Sequence, residues 1–205
     1  MIAYHTLLTP CEGELVEKRS RFLARAVPVE QEAQAREFIA AVRKQDFDAR
    51  HVAYAYILPD GTARSSDDGE PAGTAGRPIL DVLQKRHLQG VLVTVTRWFG
   101  GILLGAGGLV RAYSGAASAA LANGKPAYVR PLARVTVKLG YGDADRLRLP
   151  PHTRVEETLY TEEVTLLLLT PTEMAEELAA QIREQTLGRA VITTEEAGMA
   201  PFEEE

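Results

Sequence analysis

Residues 91–124 limit the folds open to this chain more than any other stretch. An apolar, β-branched run, Val91–Leu92–Val93–Thr94–Val95, reads as a buried strand. Behind it come Gly100, Gly101, Gly105, Gly107 and Gly108, and then an alanine-rich segment, 114–121, with helical composition. Asn123–Gly124 is a stop signal for that helix. The unit is strand, glycine-rich loop, helix, with the helix expected to begin near Leu109. Two readings of the glycines follow. They permit tight helix–sheet packing, or they let backbone N–H groups approach an anion at a helix N-terminus. Arg97 and Arg111 bracket the loop and are of a type that forks onto phosphate oxygens. Neither the P-loop nor the dinucleotide fingerprint fits, because no Lys follows the glycines and the spacing differs.

Three longer strings carry a resemblance. Residues 97–113 read RWFGGILLGAGGLVRAY, residues 66–80 read SDDGEPAGTAGRPIL, and residues 18–22 read KRSRF. Together they resemble the signatures of the YigZ/IMPACT family, over residues up to about 125. The remainder resembles the small C-terminal domain of the bacterial members. The resemblance implies an α+β chain. Its N-terminal domain, 1–127, is expected to be like the second domain of the small-subunit ribosomal protein five. A ferredoxin-like domain, 131–198, follows and resembles a domain of elongation factor G. Residues 199–205 are expected to form a frayed acidic tail.

The rest of the chain is consistent with two such domains. Strands are expected on either side of a basic tip, Lys18, Arg19 and Arg21. A helix over 29–44 has apolar residues at 35, 38, 39 and 42, with acids opening it and bases closing it. Strand 49–58 follows, and then a helix over 74–85 with Pro78 in its first turn. Linker composition is read at 124–130. Beyond it the order is strand 134–139, a short helix 143–149 broken by Pro150–Pro151, strands 153–160 and 163–170, helix 172–185 and strand 190–195. That order, β-α-β-β-α-β, is the ferredoxin-like one.

Charge is unevenly spread. The formal net charge is −5 over 205 residues. Residues 1–130 hold 16 Lys and Arg against 13 Asp and Glu, and residues 131–205 hold 7 against 15. A polyanion would therefore meet the first part of the chain. No run of 18 apolar residues and no signal-peptide pattern occurs, and Cys11 is the only cysteine, so a cytoplasmic protein without a membrane span is expected.

The acidic string Asp67, Asp68 and Glu70 has three readings. It is a turn-and-cap loop neutralised by Arg64 and Arg77, a site for a hard cation or acid–base work, or a recognition loop. In the family the strand matching 49–58 also begins with a histidine, which brings His51 in as a possible site residue; Val52–Ala53 stand where members often have small polar residues. No catalytic constellation, metal site or cofactor is expected. The resemblance implies a binding protein linked to translation, contacting RNA or the ribosome through Lys18, Arg19, Arg21, Arg97, Arg111 and the glycine loop. Trp98, Phe99 and Tyr113 either stack on bases or pack in the core. Two alternatives stay open: an enzyme acting on a phosphate-bearing small molecule through the same loop, and a protein-interaction domain without chemistry.

Overall fold

A computed structural model describes residues 3–203. Its chain divides into two compact units. One holds residues 4–128 with 201–203, and the other holds residues 129–200 with Ala3.

The first unit is built on a five-stranded antiparallel sheet. Its strands are β2 (Cys11–Glu17), β3 (Ser20–Pro28), β6 (Val91–Trp98), β4 (His51–Ile57) and β5 (Ala63–Ser66), in that spatial order. Alternation in β6 sorts its side chains. Val91, Val93 and Val95 join one core with α2 (Gly76–Lys85) and α3 (Ala106–Ala122). Leu92 faces the other side, where α1 (Glu32–Gln45) buries Ala35 and Ile39 against Val27, Tyr56 and Leu58.

Small residues let α3 lie close on the sheet. Ala112, Ala116, Ala117 and Ala120 meet Ala24, Ala26, Ala53 and Ala55 in one core. A Cβ on Gly13 of β2 would stand 2.3 Å from the Ala120 nitrogen, so only glycine fits there. At the end of α1, Asp46 receives a two-pronged bond from Arg25 (2.6 and 3.1 Å) and a third from the Thr96 hydroxyl (2.6 Å). Burial alone would raise the Asp46 carboxyl, but these donors more than offset it and hold the group below its ordinary value. The short strand β1 (Tyr4–Leu7) is followed by a bond from Leu8 N–H to the Lys125 carbonyl at 2.9 Å.

The second unit has strand order β10 (Val191–Glu203), β7 (Pro126–Leu139), β9 (Val164–Pro171), β8 (Arg154–Tyr160). With α4 (Tyr141–Ala144) and α5 (Ala175–Gln185) this gives β-α-β-β-α-β in sequence and the strand order 4-1-3-2, the ferredoxin-like arrangement. Val135, Val137, Leu139, Val164 and Leu168 pack beneath Leu178 and Ile182 of α5.

Several expectations are corrected. Residues 126–130 are not a linker; they open β7, a strand of 14 residues whose last six, 134–139, carry the expected alternation. Residues 199–203 are not a frayed tail but the end of β10. The short helix is four residues, at 141–144. Strands β1 and β5 lay outside the expected pattern. No helix among the described residues is long and apolar enough to cross a membrane.

Candidate functional site

Period-2 alternation puts Arg97 on the same buried face of β6 as Val91, Val93 and Val95. A guanidinium there needs a counter-charge. Glu70 supplies it, accepting from Arg97 Nη1 at 2.7 Å and from the Tyr113 hydroxyl at 2.8 Å on the same oxygen. The ring of Tyr113 meets Phe22 edge-on, with centroids 5.2 Å apart. The Arg97 guanidinium lies 5.5 Å from the ring centres of both Phe22 and Phe99. Burial, and then the neighbouring Glu70 charge and its hydrogen bond, push the Tyr113 hydroxyl far above its ordinary value, so it stays a neutral donor. The acidic loop and the strand that leads into the glycine loop are thus joined through one carboxylate. Arg97, expected on the surface as an anion ligand, is instead a core cation held by Glu70.

The other two acids have their own partners. Asp67 accepts from the backbone N–H groups of Gly73, Ala75 and Gly76 at 2.8, 2.9 and 2.8 Å, at the start of α2. Burial alone would raise its carboxyl; the three backbone donors outweigh that and leave it below the ordinary carboxylate value. Asp68 accepts from the Val52 N–H at 2.8 Å and pairs with Arg43. His51, at the start of β4, has Nδ1 2.7 Å from the Asp68 carbonyl. A carbonyl only accepts, so Nδ1 carries the proton in this contact. Arg77 does not neutralise this loop: it pairs with Asp81 one turn along α2. The cation that does so beside Arg97 is Arg43 from the last turn of α1, and only the folded topology brings it there. The three carboxylates point to three separate sets of partners and share no common centre.

The basic tip and the glycine loop converge. Glu17 pairs with Ser20 across a two-residue hairpin, and Lys18 and Arg19 both take positive φ, 44° and 66°. Hairpins favour such turns, but Asn and Gly usually supply them, so a Lys–Arg pair is strained. Gly100 props the turn. Its N–H donates to Ser20 Oγ at 3.1 Å, and a Cβ there would fall 2.0 Å from the Arg19 carbonyl carbon. Gly100 therefore serves close packing, not an anion.

Gly101 and Gly105 have positive φ, 83° and 71°, in the exposed loop. Helix α3 starts at Ala106, earlier than expected, so Gly107 and Gly108 form its first turn, and no side chain caps it. Arg111 Nη1 lies 3.6 Å from where a Gly107 Cβ would stand, which sets the guanidinium back along that turn. Lys18, Arg19 and Arg111 are exposed and have no ion-pair partner among the described residues. Arg21 is paired with Glu14 at 2.9 Å and lies 4.8 Å over the Trp98 ring. Phe99 is 49% and Leu103 is 82% exposed, whereas Leu104 of the same loop packs against the core.

A model of the Impact N-terminal domain matches residues 18–121, which contain the tip, the acidic loop and the glycine loop. This chain belongs to the IMPACT family. Among the family's members it is 46% identical to YvyE of Bacillus subtilis over 58% of this chain and 56% of that one. It is 41% identical to a member in the pol 5′ region of Thermus thermophilus, over 75% and 86% of the two chains. To YigZ of Escherichia coli it is 39% identical, over 60% and 63%. The chain thus spans a little over half the length of the Bacillus relative. A crystal structure of a hypothetical protein aligns with this IMPACT-family chain at TM-score 0.62 and 29% identity, covering 94% and 97% of the two chains, and both units share its fold. The two-domain translational regulator Yih1 is 30% identical over 56% of this chain and 46% of that one, with TM-score 0.38.

Proposed function

We propose that this IMPACT-family chain is a cytoplasmic binding protein linked to translation, and that it contacts RNA, free or within the ribosome. The observation that carries the reading is the close contact between Gly100 and Arg19. It holds two free cations in a strained turn beside the glycine loop, which carries the exposed Phe99 and leads into α3 with the free Arg111. Family membership supplies the link to translation, since the similar protein Yih1 is a translational regulator. The three acids of the signature loop brace α2, β4 and β6; that arrangement favours a binding role over acid–base or metal chemistry.

The test is RNA binding by the full chain, measured by fluorescence anisotropy across a range of salt. Affinity should fall steeply with salt. Lys18→Ala, Arg19→Ala and Arg111→Ala should each reduce the slope of log affinity against log salt by roughly 0.7–0.9. Absence of binding at low salt, to RNA and to purified ribosomes alike, overturns the reading. A protein partner is the second reading; it is favoured by Ile102 and Leu103, exposed at 42% and 82% in the same loop.

A further inference from the structure

The end of the sheet that carries the tip also carries residues outside the three signature strings. His51 stands opposite Arg97 in the ladder, so the turn from α1 into β4, residues 46–50, lies at that end. Asp46 in that turn is bonded to Arg25 and Thr96. The turn exposes Phe47 at 85%, the most exposed large hydrophobic side chain among the described residues, flanked by exposed Lys44 and Arg50. Neither cation has a partner among the described residues.

We propose that the ligand of this face is single-stranded RNA, with bases stacked on Phe47 and Phe99 and phosphates led past Lys44, Arg50, Lys18, Arg19 and Arg111. The proposal rests on the RNA reading above and names the form of RNA.

Two observations select this occupant. The first is charge. Five cations without an ion-pair partner gather at this end, against three acids without one, Glu17, Asp48 and Asp67, while Arg21 and Arg43 are each held by a carboxylate. The second is the state of the rings. Among the aromatics at this end, Trp98 is covered by Arg21, and Phe22 and Tyr113 are buried; Phe47 is open, and Phe99 is half-exposed with the Arg97 guanidinium on one side of its ring. Open rings among unpaired cations suit bases that are already unstacked. A duplex hides its base faces and offers chiefly phosphates and 2′-hydroxyls.

The test compares a 12-nucleotide oligouridine with a 12-base-pair RNA duplex, each labelled and bound to the full chain. Single strands should bind at least tenfold more tightly. Phe47→Ala and Phe99→Ala should each weaken that binding by roughly 5- to 100-fold, as expected for one lost stack, with little effect on the duplex. Phe47→Trp and Phe99→Tyr should restore it, whereas Phe47→Leu and Phe99→Leu should not. Melting curves of the Phe47 variants should match the parent, because that ring is exposed. Equal affinity for duplex and single strand, unaffected by the phenylalanine substitutions, overturns this inference and leaves the RNA reading standing. Leucine variants that bind like the parent also overturn it and point to an acidic protein on the same face. Absence of binding to either RNA overturns both readings.

Discussion

Glu70 Oε1 sits 2.7 Å from Arg97 Nη1, and both side chains are more than nine-tenths buried. Removing one member of such a pair leaves an uncompensated charge in a low-dielectric site. Glu70→Ala is therefore expected to cost about 3–5 kcal/mol in urea denaturation. Glu70→Gln keeps an acceptor for the Tyr113 hydroxyl and should cost less. The double variant Glu70→Leu, Arg97→Met should lose less than the two single changes added together, because no lone charge remains. A loss below about 1 kcal/mol in Glu70→Ala would show the pair to be dispensable.

Asp67 answers to pH. Its carboxyl lies below the ordinary value because three backbone donors stabilise the charged form against the opposing effect of burial. A depressed folded-state pKa gives stability that is complete above the unfolded value, about 3.9. That stability is lost as pH falls through the folded value. Asp67→Asn should lower stability at neutral pH by roughly 1–3 kcal/mol. The gap between parent and variant should narrow below about pH 4. Melting temperatures of the two proteins from pH 7 to pH 2 measure it, and a constant gap would contradict the argument.

Part of this was open to a reader of the sequence. The strand at 91–95 and the helix over 114–121 follow from hydrophobic period and composition, because each buries its pattern against a large core. The ferredoxin-like order does not depend on the length of the first helix, because 134–139 alternates cleanly and 163–170 is strongly apolar. Arg97 was misread for a physical reason. Its place at the edge of the glycine loop suggests an anion ligand, yet strand parity places it with Val95, and parity is the better guide. Phe47 and Arg50 carry no local signal, and Arg43 and Lys44 read only as the basic end of a helix. They reach the site only because α1 ends over the same sheet edge, and pairing across more than 40 residues cannot be read from one sequence.

Gly100→Ala isolates the prop under the basic turn. An added methyl would meet the Arg19 carbonyl carbon and the Ser20 nitrogen at 2.0 and 2.4 Å, both backbone atoms that cannot swing aside. The turn must move, at a cost of roughly 1–3 kcal/mol. RNA affinity should fall with it, although no cation is removed. Gly101→Ala is the control: no atom lies within 4 Å, but its φ of 83° adds strain. It should destabilise modestly, by about 1 kcal/mol, and leave the turn in place. Chemical shifts of Lys18 and Arg19 separate the two variants; if Gly101→Ala moves them as much, Gly100 is no prop.

The boundary near residue 127 has a direct test. The fragment 1–128 retains both hydrophobic clusters of the first unit, together with every partner of Asp46, Asp67, Asp68 and Glu70. It also keeps the bond from Leu8 N–H to the Lys125 carbonyl and the tilted ring contact of His5 with Tyr128, 4.8 Å between ring centres. A fragment stopping at 124 loses both. Since 126–130 are strand and not loop, limited proteolysis of the intact chain should spare them, contrary to their linker-like composition. The 1–128 fragment is expected to fold, to melt cooperatively and to bind RNA as the full chain does, with a lower melting temperature for the fragment ending at 124. A 1–128 fragment without near-ultraviolet circular dichroism or a cooperative melt would mean that the first unit does not fold alone.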